Sequence, residues 1–159
     1  MNYIFFKKFL ISFIASIFMC ATVLGNVRNK EGYEKLRAEL VKINGTDKLT
    51  EWDFLILAIC GVESRYTVTT NENYHGFMQI GRVYVKEVNR LAGTEYTYAD
   101  ARDFRKSVEM HNLMNEHKNP SRSIKKALKI HNGSNVYRSK VLKELSCIFE
   151  YEKKRNSKT

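Results

Sequence analysis

Proline is nearly absent from this chain, one in 159 residues, and glycine is scarce at eight. Neither recurs with a period, which excludes a fibrous chain. Acidic residues are also short. Seventeen Asp+Glu stand against twenty-seven Lys+Arg, a formal charge of +10. Such a surplus fits a polyanionic partner or an anionic surface, and charge alone does not separate a nucleic-acid binder from an exported wall enzyme. The 43% hydrophobic content excludes disorder. The length gives room for one domain with a sizeable core, and not for two. No internal repeat or low-complexity segment breaks the chain.

Charge of either sign is missing from residues 9–25, seventeen positions that follow Lys7 and Lys8. A basic start, an apolar run and a small-residue exit at Val23-Leu24-Gly25 resemble a secretory signal peptide over 1–25. The alternative is an uncleaved anchor touching the membrane through this segment, since seventeen residues is the short edge of a spanning helix. Ile17-Phe18-Met19 before Cys20 is bulkier than a lipidation signal has, which sets a lipoprotein aside. Either way, a single domain over 26–159 is expected outside a cytoplasmic membrane, in a periplasm or cell envelope. Lys7 and Lys8 are the only charges in the leader, so the remainder keeps +8 of the +10.

With Cys20 in the leader, Cys60 and Cys147 are the remaining thiols. They either pair in an oxidising compartment or stay as buried thiols in helical apolar patterns. Two cysteines and four scattered histidines have no ligand spacing, so no metal is expected, and no cofactor.

The pattern over 26–159 is helical with one irregular stretch. Tyr33, Leu36, Leu40 and Val41 predict an amphipathic helix ending near Asn44-Gly45. Thr50 and Asp53 form a capping box for a helix to about Tyr66. Its apolar stripe is Trp52, Leu55, Ile56, Ile59, Val62 and Tyr66, and Glu63 falls four residues after Ile59, on or beside it. A carboxylate there is costly unless paired or protonated. The Thr, Asn and Gly of residues 67–82 predict loop or short strands, with His75 a loop residue. Further helices are expected over 83–91 and from Phe104 to about Lys118. Asn119-Pro120 is expected to cap the next, which His131-Asn132-Gly133 stops. Tyr137, Val141, Leu145, Ile148 and Phe149 mark the last helix, with a solvated basic tail from Lys153.

Three stretches lie in order: Glu63-Ser64-Arg65-Tyr66, then Gly76-Phe77-Met78-Gln79-Ile80, then Ala127-Leu128-Lys129-Ile130-His131-Asn132-Gly133. Together they resemble the soluble lytic transglycosylase family, whose patterns are E-S-x-aromatic, G-L-M-Q-I and A-L-x-x-Y-N-G. The resemblance spans about 50–145. It implies a mainly α, lysozyme-like α+β fold with a small irregular or β-containing region. It also implies cleavage of the β-1,4 bond between N-acetylmuramic acid and N-acetylglucosamine in peptidoglycan glycan strands.

Such cleavage needs a carboxylic acid still protonated near neutral pH, and burial against apolar neighbours is one way to hold it so. Glu63 is that candidate; its structural alternative is a helix-end pair with Arg65 or Lys48. In the family one glutamate protonates the leaving group and then deprotonates the muramyl 6-hydroxyl, closing a 1,6-anhydro ring. Hydrolysis by retaining or inverting routes uses a second carboxylate, for which Glu72 is the only acid in the following loop.

The resemblance carries Ser64 as an orienting hydroxyl, and Gly76, Met78 and Gln79 as groove residues, with Gln79 offering amide donors and acceptors to sugars. Asn132 matches an asparagine beside the cleft. Tyr137 falls near a later tyrosine and also lies on a core stripe. Two positions depart from the pattern: Phe77 for leucine, and His131 where a tyrosine is usual. A histidine there can hydrogen-bond substrate or Glu63, or sit satisfied at the core edge. A catalytically weak glycan-binding module is the third reading, and Glu63 is the residue such a module is expected to lack. Nucleic acid is not expected as a partner, because the Lys and Arg are dispersed rather than gathered with aromatics on one face. The family also works within secretion, conjugation and phage machines, among which the sequence does not choose.

Overall fold

The structure is a computed structural model that describes residues 27–157. The leader-like segment over 1–25, with Cys20, lies outside the described residues, as do residues 158–159. The described chain has six α-helices, one 3-10 helix and a two-stranded antiparallel sheet, so the fold is mainly α with a small β region.

Helix α1 (Lys30–Asn44) starts at Asn29, whose side chain accepts from the Gly32 N–H, and ends at Gly45 in the left-handed region. It buries Tyr33, Leu36 and Leu40. Helix α2 (Glu51–Ser64) opens on Thr50 and Asp53, with both halves of the expected capping box formed. The expected stripe is too narrow a description of α2. Residues 55–61 are buried without a break, because α2 is the axis of the core and is covered on every side. Gly61 permits close packing there, since a Cβ would meet the Tyr66 hydroxyl and the Glu144 carboxylate.

The irregular stretch contains β1 (Tyr74–His75) and β2 (Ile80–Gly81), paired Tyr74 to Gly81 and His75 to Ile80. Gly76 turns between them at φ 77°, with its backbone pressed against the Ala101 carbonyl, a place with no room for a Cβ. His75 is not a simple loop residue. It is buried in β1, stacks on Tyr98 at 3.8 Å, and contacts the Tyr98 carbonyl through Nδ1 at 3.1 Å.

Helix α3 (Arg82–Ala92), a 3-10 turn (Tyr98–Arg102) and α4 (Phe104–Lys118) follow, with α3 packed along α4. Helix α5 (Ile124–His131) is capped by Ser123, not by the expected Asn119-Pro120. Asn119 is buried and already engaged. Its N–H closes α4 on the Asn115 carbonyl, and its side chain joins Asn115 Oδ1 to the Ser123 backbone. Helix α6 (Asn135–Asn156) packs along α2. The basic tail expected from Lys153 is helical as far as Asn156. Arg155 there lies 3.6 Å from Glu152 and 3.9 Å from Glu34, so it is ion-paired rather than merely solvated.

Glu152 is buried on α6, where Arg37 of α1 holds it through two bonds of 3.0 and 3.1 Å and the Tyr33 hydroxyl donates at 2.9 Å. Glu144 is buried one face along and accepts from the Tyr66 hydroxyl at 2.7 Å. These two carboxylates tie α6 to α1 and to the turn after α2, Glu152 through a guanidinium and a phenol and Glu144 through the Tyr66 phenol.

Candidate active site

Glu63 is the penultimate residue of α2, where the core helix emerges; its side chain is 20% exposed. The chain turns sharply just beyond it. Arg65 and Tyr66 both take left-handed backbone (φ 54° and 62°), which non-glycine residues adopt at a cost. Tyr66 is held there by burial and by its bond to Glu144, and Arg65 by Asn29, whose Nδ2 donates to its carbonyl at 3.1 Å.

His131, the last residue of α5, brings Nε2 to 3.4 Å from Glu63 Oε1, with only 4% of its side chain exposed. The alternative partners Arg65 and Lys48 are not the ones met. Three rings surround His131: Tyr137 of α6 lies nearly parallel at 5.8 Å, with Tyr84 of α3 and His111 of α4 at 6.0 Å each. Burial, then the Glu63 charge and a hydrogen-bonding interaction with it, push the Tyr137 hydroxyl well above the usual phenol range. Burial does the same to Tyr84, and burial with the Glu63 charge raises the Cys60 thiol. His111 is pushed the other way, to about 3, by burial and then by the neighbouring His131 and Arg122.

The cluster is under-satisfied. Among the described residues, five buried side-chain polar atoms lack a full hydrogen bond, and four gather here: Tyr84 Oη, His111 Nδ1, His131 Nδ1 and Tyr137 Oη. Buried polar atoms are ordinarily paired, so such a concentration beside a half-buried carboxylate marks a place suited to a polar ligand.

The other sequence candidates lie apart from this chemistry or support it indirectly. Ser64 is buried and donates to the Cys60 carbonyl at 3.0 Å, so its proton is committed to α2 rather than to Glu63. Met78 is fully buried and packs in the core, not on an open groove wall. Gly76 is the buried pivot of the β-turn. Gln79 takes left-handed backbone (φ 49°), and its amide nitrogen points inward to the Gly76 carbonyl at 2.7 Å and to Thr69 Oγ1 at 2.8 Å. It braces the loop, where a sugar contact was expected. Asn132 is exposed at the α5–α6 turn and accepts from the Ser134 N–H at 3.0 Å. Glu72 is exposed in the loop before β1.

Tyr84, His111 and Cys60 were not singled out as site residues. For His111 a signal existed: it continues the Phe104 and Val108 face of α4, an apolar stripe on which a histidine is out of place. Cys60 carries a free buried thiol, so the Cys60–Cys147 disulfide is not formed. No group of three metal-ligating side chains converges among the described residues, and none of their helices is long and apolar enough to cross a membrane.

No family model, no curated protein and no solved structure matches the chain.

Proposed function

We propose that this chain is a peptidoglycan lytic transglycosylase, with Glu63 as the group that is first acid and then base. The observation that carries the reading is the partly exposed Glu63 carboxylate facing His131, beside a cluster of buried and under-satisfied polar atoms. The ordered motif residues around Glu63, Gly76 and His131 supply the substrate class.

In this mechanism the protonated Glu63 donates to the oxygen linking N-acetylmuramic acid to N-acetylglucosamine, and the C1–O bond breaks with the electron pair leaving on that oxygen. The carboxylate then takes the proton of the muramyl 6-hydroxyl as its oxygen bonds to C1. A 1,6-anhydro ring closes, Glu63 regains its proton and no water is consumed. One carboxylate suffices, which agrees with Glu72 standing exposed on its loop. His131 and Tyr137 fix the direction of the carboxylate from the α5–α6 side. The roles of the leader-like segment and of the +8 that remains beyond it belong to the same proposal: export to an anionic envelope, and salt-sensitive retention there.

Digestion of purified peptidoglycan, with products weighed, tests the reading. Anhydro-muramyl ends made by the wild-type chain and lost in Glu63→Gln are expected. Reducing ends would make the protein a hydrolase and return Glu72 to the site. Binding of glycan without cleavage would make it a binding module.

A further inference from the structure

Polar residues recur at every fourth position along α4 and its C-cap: Ser107, His111, Asn115 and Asn119. That spacing lays them on one face of the helix, and all four are buried. Their hydrogen bonds have a fixed direction, because the last of them starts from backbone. The Ser123 N–H donates to Asn119 Oδ1 at 3.0 Å. Asn119 therefore turns Nδ2 to the Ser123 carbonyl at 2.9 Å and to Asn115 Oδ1 at 3.1 Å. This fixes Asn115 in turn, whose Nδ2 donates to the His111 carbonyl at 2.9 Å and faces His111 Nε2 at 3.4 Å. A donor facing Nε2 calls for a lone pair there, so the neutral His111 ring carries its proton on Nδ1. Burial, with His131 and Arg122 as neighbours, keeps that ring neutral.

His111 Nδ1 is then a buried donor, and it meets no acceptor among the described residues. His131 lies 6.0 Å away between ring centroids and has the converse need. Its Nε2 faces Glu63 Oε1, and its buried Nδ1 is unpaired as well. We propose that His111 is a positioning residue for His131. One buried water accepts from His111 Nδ1–H and donates to His131 Nδ1, which holds the His131 proton on Nε2, directed at Glu63. Such a water has the two polar partners that burial requires, and the unpaired Tyr84 and Tyr137 hydroxyls belong to the same cluster. The chemical consequence rests on the lytic reading of Glu63. With Oε1 accepting from His131, the acidic proton of Glu63 sits on Oε2 and remains available to the leaving oxygen. In the other tautomer, the Nε2 lone pair of His131 competes for that proton.

The test reads the ring nitrogens of the four histidines in the isotope-labelled full chain, assigned by substituting them one at a time. Long-range proton–nitrogen correlation at neutral pH is expected to show the proton of His111 on Nδ1 and that of His131 on Nε2. In a Glu63→Gln background the substituted amide can offer His131 either a donor or an acceptor, so the link to His111 alone selects the tautomer. There His131 keeps its proton on Nε2, and adding His111→Leu turns it into a mixture. His111→Asn restores the single form, because its amide nitrogen falls where Nδ1 lay. With Glu63 in place, His111→Leu lowers kcat about threefold at little change in KM, and His111→Asn recovers it. A proton on Nε2 of His111 or on Nδ1 of His131 in the wild type would overturn the proposal, and that measurement needs no variant. So would equal behaviour of the Leu and Asn variants. The expected tautomers in a chain that cleaves no peptidoglycan would reject the role of Glu63 and leave the link standing. Cleavage by a chain with the opposite tautomers would do the reverse.

Discussion

His131 Nε2 lies 3.4 Å from Glu63 Oε1, joining the end of α5 to the end of the central helix α2. That distance is longer than a short hydrogen bond. The imidazole is almost wholly covered while the carboxylate keeps an open side, so the pair has one enclosed member and one accessible member.

In the proposed mechanism His131 is a positioning residue for Glu63. His131→Ala is expected to lower kcat about tenfold while KM changes little, because the carboxylate loses its orientation only at the chemical step. His131→Tyr should restore most of the rate, since a phenol spans a similar distance within the ring cluster. Steady-state kinetics on soluble glycan strands checks both. Equal losses in the two variants would assign His131 to packing alone.

His111 makes the fold sensitive to acid. Its folded pKa is depressed to about 3 by burial, then by His131 and Arg122, against about 6.5 in an unfolded chain. Between those values the unfolded state binds a proton that the native state refuses. Stability is therefore complete above about pH 6.5 and falls as pH drops from there toward 3. Urea midpoints at pH 7.5 and pH 5 should differ in that direction, and His111→Leu should narrow the difference.

Arg37 and Glu152 test the clamp between α1 and α6. Both side chains are largely buried, and the two parallel bonds leave no other cation as close to Glu152. Arg37→Ala should cost about 3 kcal/mol, the penalty of a buried carboxylate stripped of its partner. The paired change Arg37→Met with Glu152→Leu should recover much of it, read from urea denaturation.

The helical framework was legible because its signals are local. Thr50 with Asp53 and Asn44 with Gly45 carry their own capping chemistry, and these ends fall where the pattern placed them. Asn119 misled because its neighbour Pro120 looks like a helix start, while its amide is used to join α4 to Ser123. The full burial of α2 was not visible from a stripe, since it depends on what α6 and α1 place against it. Glu63 stood out as a carboxylate among apolar residues. Tyr84 and His111 did not, because their approach to His131 is set by helix packing between distant segments. Gln79 and Met78 show the opposite error: a motif position suggested a sugar contact, and the folded chain uses one to brace a loop and the other to fill the core.

The most direct test weighs the products of peptidoglycan digestion by the full chain and by Glu63→Gln. The account predicts 1,6-anhydro-muramyl ends from the wild type and a loss of at least about a hundredfold in the variant, the scale of a removed general acid. Undiminished cleavage by folded Glu63→Gln would contradict it.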